Sequence, residues 1–292
     1  MKGLTGMEFL HPGFLFSRNF DMAAQQLKFG FHDFLNAQPL LIPFRERESQ
    51  LGVSMVTGSP AELADRLKDG ELDLAMIPSI EYLKDSEQYR LLPGIAVASR
   101  GPVGTVLLAS RLPLDQVQSI ALDARSRTSA ALLQILFGEV FPWNVFLETT
   151  DPDPQEMLKE HDAALIIGDP ALHLQSACPN LEIYDLSEKW FEQTGKTFVH
   201  AVVAARRGIE LDANFLINLQ EAKEDGLSRL ESFARAGSEH SGLTYETCLD
   251  YLSSKIIYDL GQEELIGLQH FRDVCFDKGL LEHKEMIKFV DI

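Results

Sequence analysis

The feature that most limits the possible folds is a repeated alternation of short apolar segments with amphipathic ones. Residues 27–31, 53–57 and 72–77 are short and rich in Leu, Ile, Val, Met and Phe, as expected of buried strands. The amphipathic segment between the second and the third begins at Ser59 and ends at Gly70, which are typical start and stop residues of a helix. Alternating strands and helices predict a parallel sheet with helices packed on its faces.

A second unit of the same kind follows. The extended stretch 91–109, interrupted by the glycine-containing segment 100–104, carries the chain out of the first unit. The second unit is predicted to contain strands at 119–122, 145–147 and 163–167 and helices at 129–137, 154–160 and 170–175. A strand-like segment at 198–205 then leads the chain back to the first unit. The remaining residues are predicted to be helices separated at Gly208, Gly237, Gly242, Gly261 and Gly279.

Two similar units joined by two extended crossings predict a two-lobed α/β protein with a cleft between the lobes. We expect the first lobe to combine residues 27–105 with 205–292, and the second lobe to cover 106–204. Residues 1–26 are expected to be an N-terminal extension or the result of a misplaced start, because they lack the apolar stretch of a secretion signal.

Composition and charge limit the possible partners. The net charge of −18 and the pI near 4.8 argue against nonspecific binding to nucleic acid or to an anionic membrane, because both would be repelled. A small anion is still possible, since salt screens the distant surface charges beyond roughly 8 Å. The three cysteines form no CxxC pair, so we expect no disulfide framework, no structural zinc site and a cytoplasmic location. No apolar run reaches the length of a membrane span.

Ligands of open parallel sheets bind beyond the carboxyl ends of the strands, so the loops after Phe31, Ile77, Leu122 and Ile167 are the candidate binding loops. In the first loop, the Asn36 amide either orients a ligand or caps the following helix. After the third strand, the Ser79 hydroxyl has the same two alternatives. Both remain open from the residues alone.

The loop after Leu122 is the strongest candidate for binding an anion. Four of its residues, Ser126, Arg127, Thr128 and Ser129, carry hydrogen-bond donors and precede an apolar helix, whose N-terminus favours a carboxylate or phosphate. The alternative is a solvated, capped helix start. After Ile167, Asp169 either caps a helix that begins at Pro170 or places a carboxylate at the cleft edge.

Motifs for other chemistries are absent from the sequence. It contains no nucleotide-binding glycine motif, no HExxH zinc motif and no GxSxG nucleophile motif, and its eight histidines do not pair at metal-ligand spacing. His32 and His200 lie near predicted cleft segments, but a lone histidine is more often structural than ligand-binding. The residues alone therefore predict a two-lobed cytoplasmic α/β protein that binds a small anion.

A set of short segments occurs in a characteristic order and spacing between residues 27 and 290. They are Phe34–Leu40, Asp73–Ala75, Ser79–Tyr82, Gly101–Val106, Ser126–Ser129, Ile167–Asp169, Thr194-Gly195, Leu260-Gly261 and Gly267-Leu268. Together they resemble the chorismate dehydratases of the futalosine pathway of menaquinone biosynthesis. The stretch Phe198–Val203 departs from the family pattern, as do His32 and Pro78. These three departures concern the finer shape of the pocket and not the overall resemblance.

The resemblance implies a two-lobed, periplasmic-binding-protein-like (type II) α/β fold with a central ligand cleft. It further implies a cytoplasmic lyase that removes water from chorismate and gives 3-[(1-carboxyvinyl)oxy]benzoate, with no metal or other cofactor. By the same resemblance, Asn36 and Ser79 are the catalytic residues that face the reacting ring. The substrate-binding residues would be Gly104, Thr105, Ser126, Arg127, Thr128, Ser129, Gly168 and Asp169.

Two other functions fit a two-lobed binding fold. One is a solute-binding protein for a small carboxylate, which the missing secretion signal argues against. The other is the sister enzyme that makes dihydroxynaphthoate, which has a different first-loop motif from Phe34–Leu40. The matched loops contain no obvious base, so the enolpyruvyl carboxylate of the substrate is our hypothesis for the group that takes the proton. The sequence leaves a monomer and a homodimer equally open.

Overall fold

The computed structural model describes residues 26–177 and 180–291. The predicted N-terminal extension, apart from residue 26, and Cys178 lie outside the described residues. The described chain forms two five-stranded sheets, each covered by helices, and this two-lobed α/β arrangement confirms the predicted fold class.

The first sheet has the strand order β2-β1-β3-β10-β4. Its strands are β1 (Leu27–Phe31), β2 (Val53–Thr57), β3 (Leu74–Pro78), β4 (Tyr89–Ser99) and β10 (Phe198–Arg206). β1 runs parallel to β2 and β3, whereas β10 runs antiparallel to both of its neighbours. The sheet is therefore mixed rather than parallel throughout.

The second sheet repeats this pattern with the order β7-β6-β8-β5-β9. Its strands are β5 (Val106–Ser110), β6 (Ser119–Asp123), β7 (Phe146–Thr150), β8 (Ala163–Ile167) and β9 (Glu182–Asp185). β6 is parallel to β7 and β8, and β5 is antiparallel to β8 and β9. Each sheet thus has one antiparallel strand in the fourth position.

Helices cover both sheets. In the first lobe, a 3₁₀ turn (Leu35–Ala37) precedes α1 (Gln38–Glu46), α2 (Glu48–Leu51), α3 (Pro60–Lys68) and α4 (Ser79–Lys84). The second lobe contains α5 (Arg127–Phe137), α6 (Pro154–Glu160), α7 (Asp169–Ala177) and α8 (Leu186–Thr194). The C-terminal part returns to the first lobe as α9 (Ala213–Ser228), α10 (Leu230–Ser241), α11 (Tyr245–Asp250) and α12 (Gln262–Asp277).

The lobes are connected at two places, by residues 100–105 between β4 and β5 and by residues 195–197 between α8 and β10. The predicted division counted residues up to 204 with the second lobe, but β10 pairs with β3 and β4 and so belongs to the first sheet. None of the helices within residues 26–177 and 180–291 has the length and apolarity needed to cross a membrane.

Two local differences from the sequence prediction have clear physical reasons. Gly237 lies inside α10 instead of ending a helix, and a Cβ added there would come within 2.6 Å of Leu35 Cδ1, so glycine lets α10 pack closely against this side chain. The strand β9 was not predicted, because its sequence Glu-Ile-Tyr-Asp is short, half-exposed and bounded by charged residues.

Candidate active site

A small cavity of about 70 Å³ lies between the lobes. Part of its wall comes from the carboxyl ends of β1, β3, β6 and β8 and the residues next to them, which are the four strand ends that the sequence predicts. In addition to polar groups, the wall carries apolar side chains from β4, from the first crossing and from β10, including Val97, Val103 and Ala201. The site is therefore a largely apolar chamber with a few polar groups, as small-ligand sites commonly are.

The segment after β1 places alternate residues in the cavity. His32, Phe34 and Asn36 line it, whereas Asp33 and Leu35 line a wider, more open cavity on the other side of the same segment. Asn36 caps no helix, because it lies inside the 3₁₀ turn and no side-chain capping bond is made at the start of α1. The structure therefore gives no support to the helix-capping alternative for Asn36.

Two buried polar atoms of this segment have no protein partner within the described part of the chain, namely Asn36 Oδ1 and His32 Nδ1. The Tyr251 hydroxyl lies beside the Asn36 side chain, and its oxygen is 3.0 Å from Thr105 Oγ1. A buried polar atom without a partner costs about 1–3 kcal/mol, so a ligand that supplied partners to these two atoms would recover that cost.

The start of α5 supplies the polar groups opposite this segment. Ser126, Thr128 and Ser129 line the cavity, and the first N–H groups of a helix have no partner within it. Ser126 holds the N-cap position, but its side chain makes no capping hydrogen bond. The Thr128 hydroxyl accepts a hydrogen bond of 3.3 Å from the Ile80 N–H and so joins the two lobes.

Arg125 is the one permanently charged side chain among the cavity-lining residues of the described chain. Its guanidinium forms two hydrogen bonds to the buried Asp123 carboxylate, of 2.9 and 2.6 Å. Its Cζ lies 5.2 Å from the centroid of the Phe34 ring. The sequence predicts the loop of this arginine as a binding loop but not Arg125 itself, because the spacing cannot show which of two neighbouring arginines faces inward.

Arg127, the other arginine, does not line the cavity. It pairs with Asp65 of α3 through contacts of 2.8 and 2.7 Å and with Glu81 of α4 at 3.1 Å. Both carboxylates belong to the first lobe, so Arg127 holds the lobes together at the cleft rim. Its hydrogen bonds lower the pKa of Asp65 below the usual range.

Ser79 is fully buried, and the structure does not place it on the cavity wall. Its hydroxyl donates a 2.7 Å hydrogen bond to the Val199 carbonyl of β10. The helix-capping alternative does not apply either, because Pro78 holds the N-cap position of α4. Ser79 therefore fixes the backbone of β10 next to His200, which does line the cavity.

Of the remaining predicted residues, two line the cavity and two form hydrogen bonds elsewhere. Thr105 and Gly168 line the cavity, and Gly168 has a φ of +68° with the Phe34 ring against its Cα. The Gly104 N–H instead donates to Asp185 Oδ2 at 2.6 Å. The Asp169 carboxylate accepts the Leu35 N–H at 3.2 Å and faces the wider cavity, and burial raises its pKa.

Two histidines in the wall are uncharged at neutral pH. Burial lowers the pKa of both His32 and His200 to about 4. His200 Nε2 lies 2.7 Å from Ser99 Oγ, which in turn lies 2.6 Å from Ser187 Oγ. Within residues 26–177 and 180–291, no cluster of three His, Cys, Asp or Glu side chains is arranged to hold a metal ion.

Comparison with known proteins gives consistent results. Residues 27–277 match the model of a family described as menaquinone biosynthesis. A chorismate dehydratase from Thermus thermophilus is 30% identical over 237 residues, which cover 76% of this chain and 86% of that protein.

Solved structures share the fold at lower identity. A protein from Archaeoglobus fulgidus superposes with a TM-score of 0.69 at 19% identity, covering 87% of this chain and 98% of that one. The alkanesulfonate-binding protein from Xanthomonas axonopodis pv. citri superposes with a TM-score of 0.65 at 16% identity, covering 90% of this chain and 96% of that one. These likenesses establish a periplasmic-binding-protein-like fold.

Proposed function

The chain belongs to the menaquinone-biosynthesis family, and on that premise we propose that it dehydrates chorismate to 3-[(1-carboxyvinyl)oxy]benzoate. The observation that carries the proposal is the buried interlobe cavity, in which the N-terminus of α5 and the Arg125 guanidinium face a largely apolar chamber. Chorismate has an apolar ring and two carboxylates, and this combination of groups matches it. A cytoplasmic location belongs to the same proposal and is supported by the unpaired, buried Cys248 and Cys275.

The reaction removes the proton at ring C3 and the hydroxyl at C4, and aromatisation of the ring drives it. Binding between the lobes would remove most of the ring from bulk water and fix it relative to the polar groups. The cavity-lining residues of the described chain include no Asp or Glu, and both histidines are held neutral. These observations support the enolpyruvyl carboxylate of the substrate as the group that takes the C3 proton.

We assign the predicted site residues to two roles within this proposal. Asn36, Thr105, Ser126, Thr128, Ser129 and Gly168 would contact the substrate, because they form the wall. The other four would position the wall without touching the substrate. Ser79 and Gly104 would fix the backbone beside the cavity, and Arg127 and Asp169 would join the two lobes.

The decisive experiment incubates purified protein with chorismate and detects the enolpyruvyl benzoate by chromatography and mass spectrometry. We expect turnover, and we expect it to persist after treatment with EDTA and dialysis, because the proposed chemistry needs no metal. Activity that disappears with EDTA and returns with a divalent ion would contradict the second expectation. Tight binding of chorismate without any product would instead support a solute-binding function.

A further inference from the structure

His32 differs from another buried histidine of the described chain, His161, in having a free ring nitrogen. His161, which directly follows α6 in the second lobe, has both nitrogens in hydrogen-bond contact, with the Met157 carbonyl at 3.3 Å and with the Glu148 carboxylate at 3.0 Å. His32 Nδ1 has no partner within residues 26–177 and 180–291, although the ring lines the cavity. Packing alone does not explain a histidine at this position, because an aromatic ring without nitrogens would fill the same space at no polar cost.

The His32 ring packs against two aromatic neighbours. Its centroid lies 5.1 Å from that of Phe34 and 6.2 Å from that of Phe31. These contacts restrict the movement of the ring that carries the free nitrogen, and restricted movement favours a catalytic or binding role.

Asn36 Oδ1, four residues further along the same segment, is the second free polar atom of the wall. A carbonyl oxygen only accepts hydrogen bonds. Chorismate, with both carboxylates ionised, has one O–H group, the C4 hydroxyl that is lost in the reaction. The C4 hydroxyl is therefore the substrate group that can satisfy Asn36 Oδ1, and its oxygen can at the same time accept a hydrogen bond from a neighbouring N–H.

We propose that His32 is a further catalytic residue, whose Nδ1–H binds the oxygen of the departing C4 hydroxyl together with Asn36. In this step the C3–H bond breaks and its proton passes to the base, the electron pair forms the new ring double bond, and the C4–O bond breaks. The proton held by the base then reaches the departing hydroxide, so water is the by-product. His32 keeps its proton throughout and stabilises the negative charge that develops on the leaving oxygen. This assignment rests on the proposed dehydratase function.

The test compares three substitutions with a matched control. His32→Phe keeps the ring without nitrogens, His32→Asn keeps a polar group near the Nδ1 position, and His32→Gln keeps one near the Nε2 position. We expect His32→Phe and His32→Gln to lower kcat by 10-fold to 1000-fold with less than a threefold change in KM, and His32→Asn to recover most of the loss. His161→Asn, the control, removes a buried histidine outside the cavity and should leave kcat unchanged.

Binding of the product separates this role from a merely structural one. The product has no C4 hydroxyl, so its affinity, measured by calorimetry, should be the same for the wild type and for His32→Phe. Wild-type kcat in His32→Phe, or equal losses of kcat in the Phe and Asn variants, would overturn the proposal. A matching loss of product affinity would also overturn it, because His32 would then contact the ring or a carboxylate. If the wild type fails to dehydrate chorismate, the proposed function itself fails.

Discussion

The histidines in the cavity wall link the site to the stability of the protein. Burial lowers the pKa of His32 and His200 from 6.5 to about 4, so between these values the unfolded chain binds protons that the folded chain does not. The stabilisation that the neutral rings contribute is fully present above pH 6.5 and is lost as the pH falls toward 4. The buried Asp169 and Asp185 carboxyls, whose pKa values are raised by burial, act in the opposite direction.

We expect the free energy of unfolding to fall by about 2 kcal/mol for each of the two histidines between pH 7.5 and pH 5. The measurement is urea denaturation at several pH values on the wild type and on His32→Phe. Subtracting the two curves cancels the shared carboxyl contributions. A pH dependence that is the same for both proteins would show that His32 is not held neutral by burial.

Thr128 should contribute to ligand affinity at the start of α5. Thr128→Ala removes a hydroxyl from the wall and leaves the Ile80 N–H without its 3.3 Å partner, so product binding should weaken by about 1–3 kcal/mol. Calorimetry with the enolpyruvyl benzoate measures the change. Thr128→Ser should restore the affinity, and Thr149→Ala on the exposed face of β7 is the control. Unchanged affinity in Thr128→Ala would exclude this role.

At the scale of secondary-structure elements, the Ser79 hydroxyl ties the start of α4 to β10. In Ser79→Ala, the buried Val199 carbonyl loses its partner, and we expect the free energy of unfolding to fall by about 1–3 kcal/mol. Because Val199 precedes His200 in the cavity wall, kcat should also fall. Melting and kinetics are measured on the same samples, with Ser228→Ala on the surface as the control. A destabilised variant with wild-type kcat would limit Ser79 to a structural role.

The sequence predicted many elements closely because their apolar pattern is strong. The spans of β1, β2, β8 and α6 agree with the prediction, since each is a short apolar run or a capped helix between clear breaks. The pattern could not show strand direction or neighbours. For this reason the sequence does not predict the place of β10 between β3 and β4. The strand β9 is not predicted for a different reason, which is that its four residues are only weakly apolar.

Within the site, the sequence indicated which loops meet but not which side chains face inward. The four strand ends converge as predicted, because parallel strands place their carboxyl ends at one edge. Arg125 lines the cavity and packs against Phe34, whereas Arg127 points away from it and pairs with Asp65 and Glu81. All three partners are far away in the sequence. Contacts of such long range are not encoded in local spacing.

At the scale of the whole molecule, the pairing of Arg127 with Asp65 and Glu81 holds the two lobes in contact. Arg127→Gln should open the cleft, so we expect a larger radius of gyration in small-angle X-ray scattering and a higher KM. The effect should be modest and should diminish at high salt, because Asp65 is half-exposed and exposed pairs contribute about 0–1 kcal/mol. Arg66→Gln, whose partners lie in the same lobe, is the control. Unchanged scattering and KM in Arg127→Gln would show that other contacts keep the lobes closed.

The position of β10 also determines the order in which the protein can assemble during translation. The second lobe, from β5 to α8, is one continuous stretch of chain, so it can complete its sheet as soon as it leaves the ribosome. The first sheet cannot, because the strand between β3 and β4 is made only after the whole second lobe. Until residues 198–206 emerge, β3 has an unpaired edge, which is a known starting point for aggregation. The first lobe to be synthesised is thus the last to be finished, and its nascent strands are where a molecular chaperone would be needed.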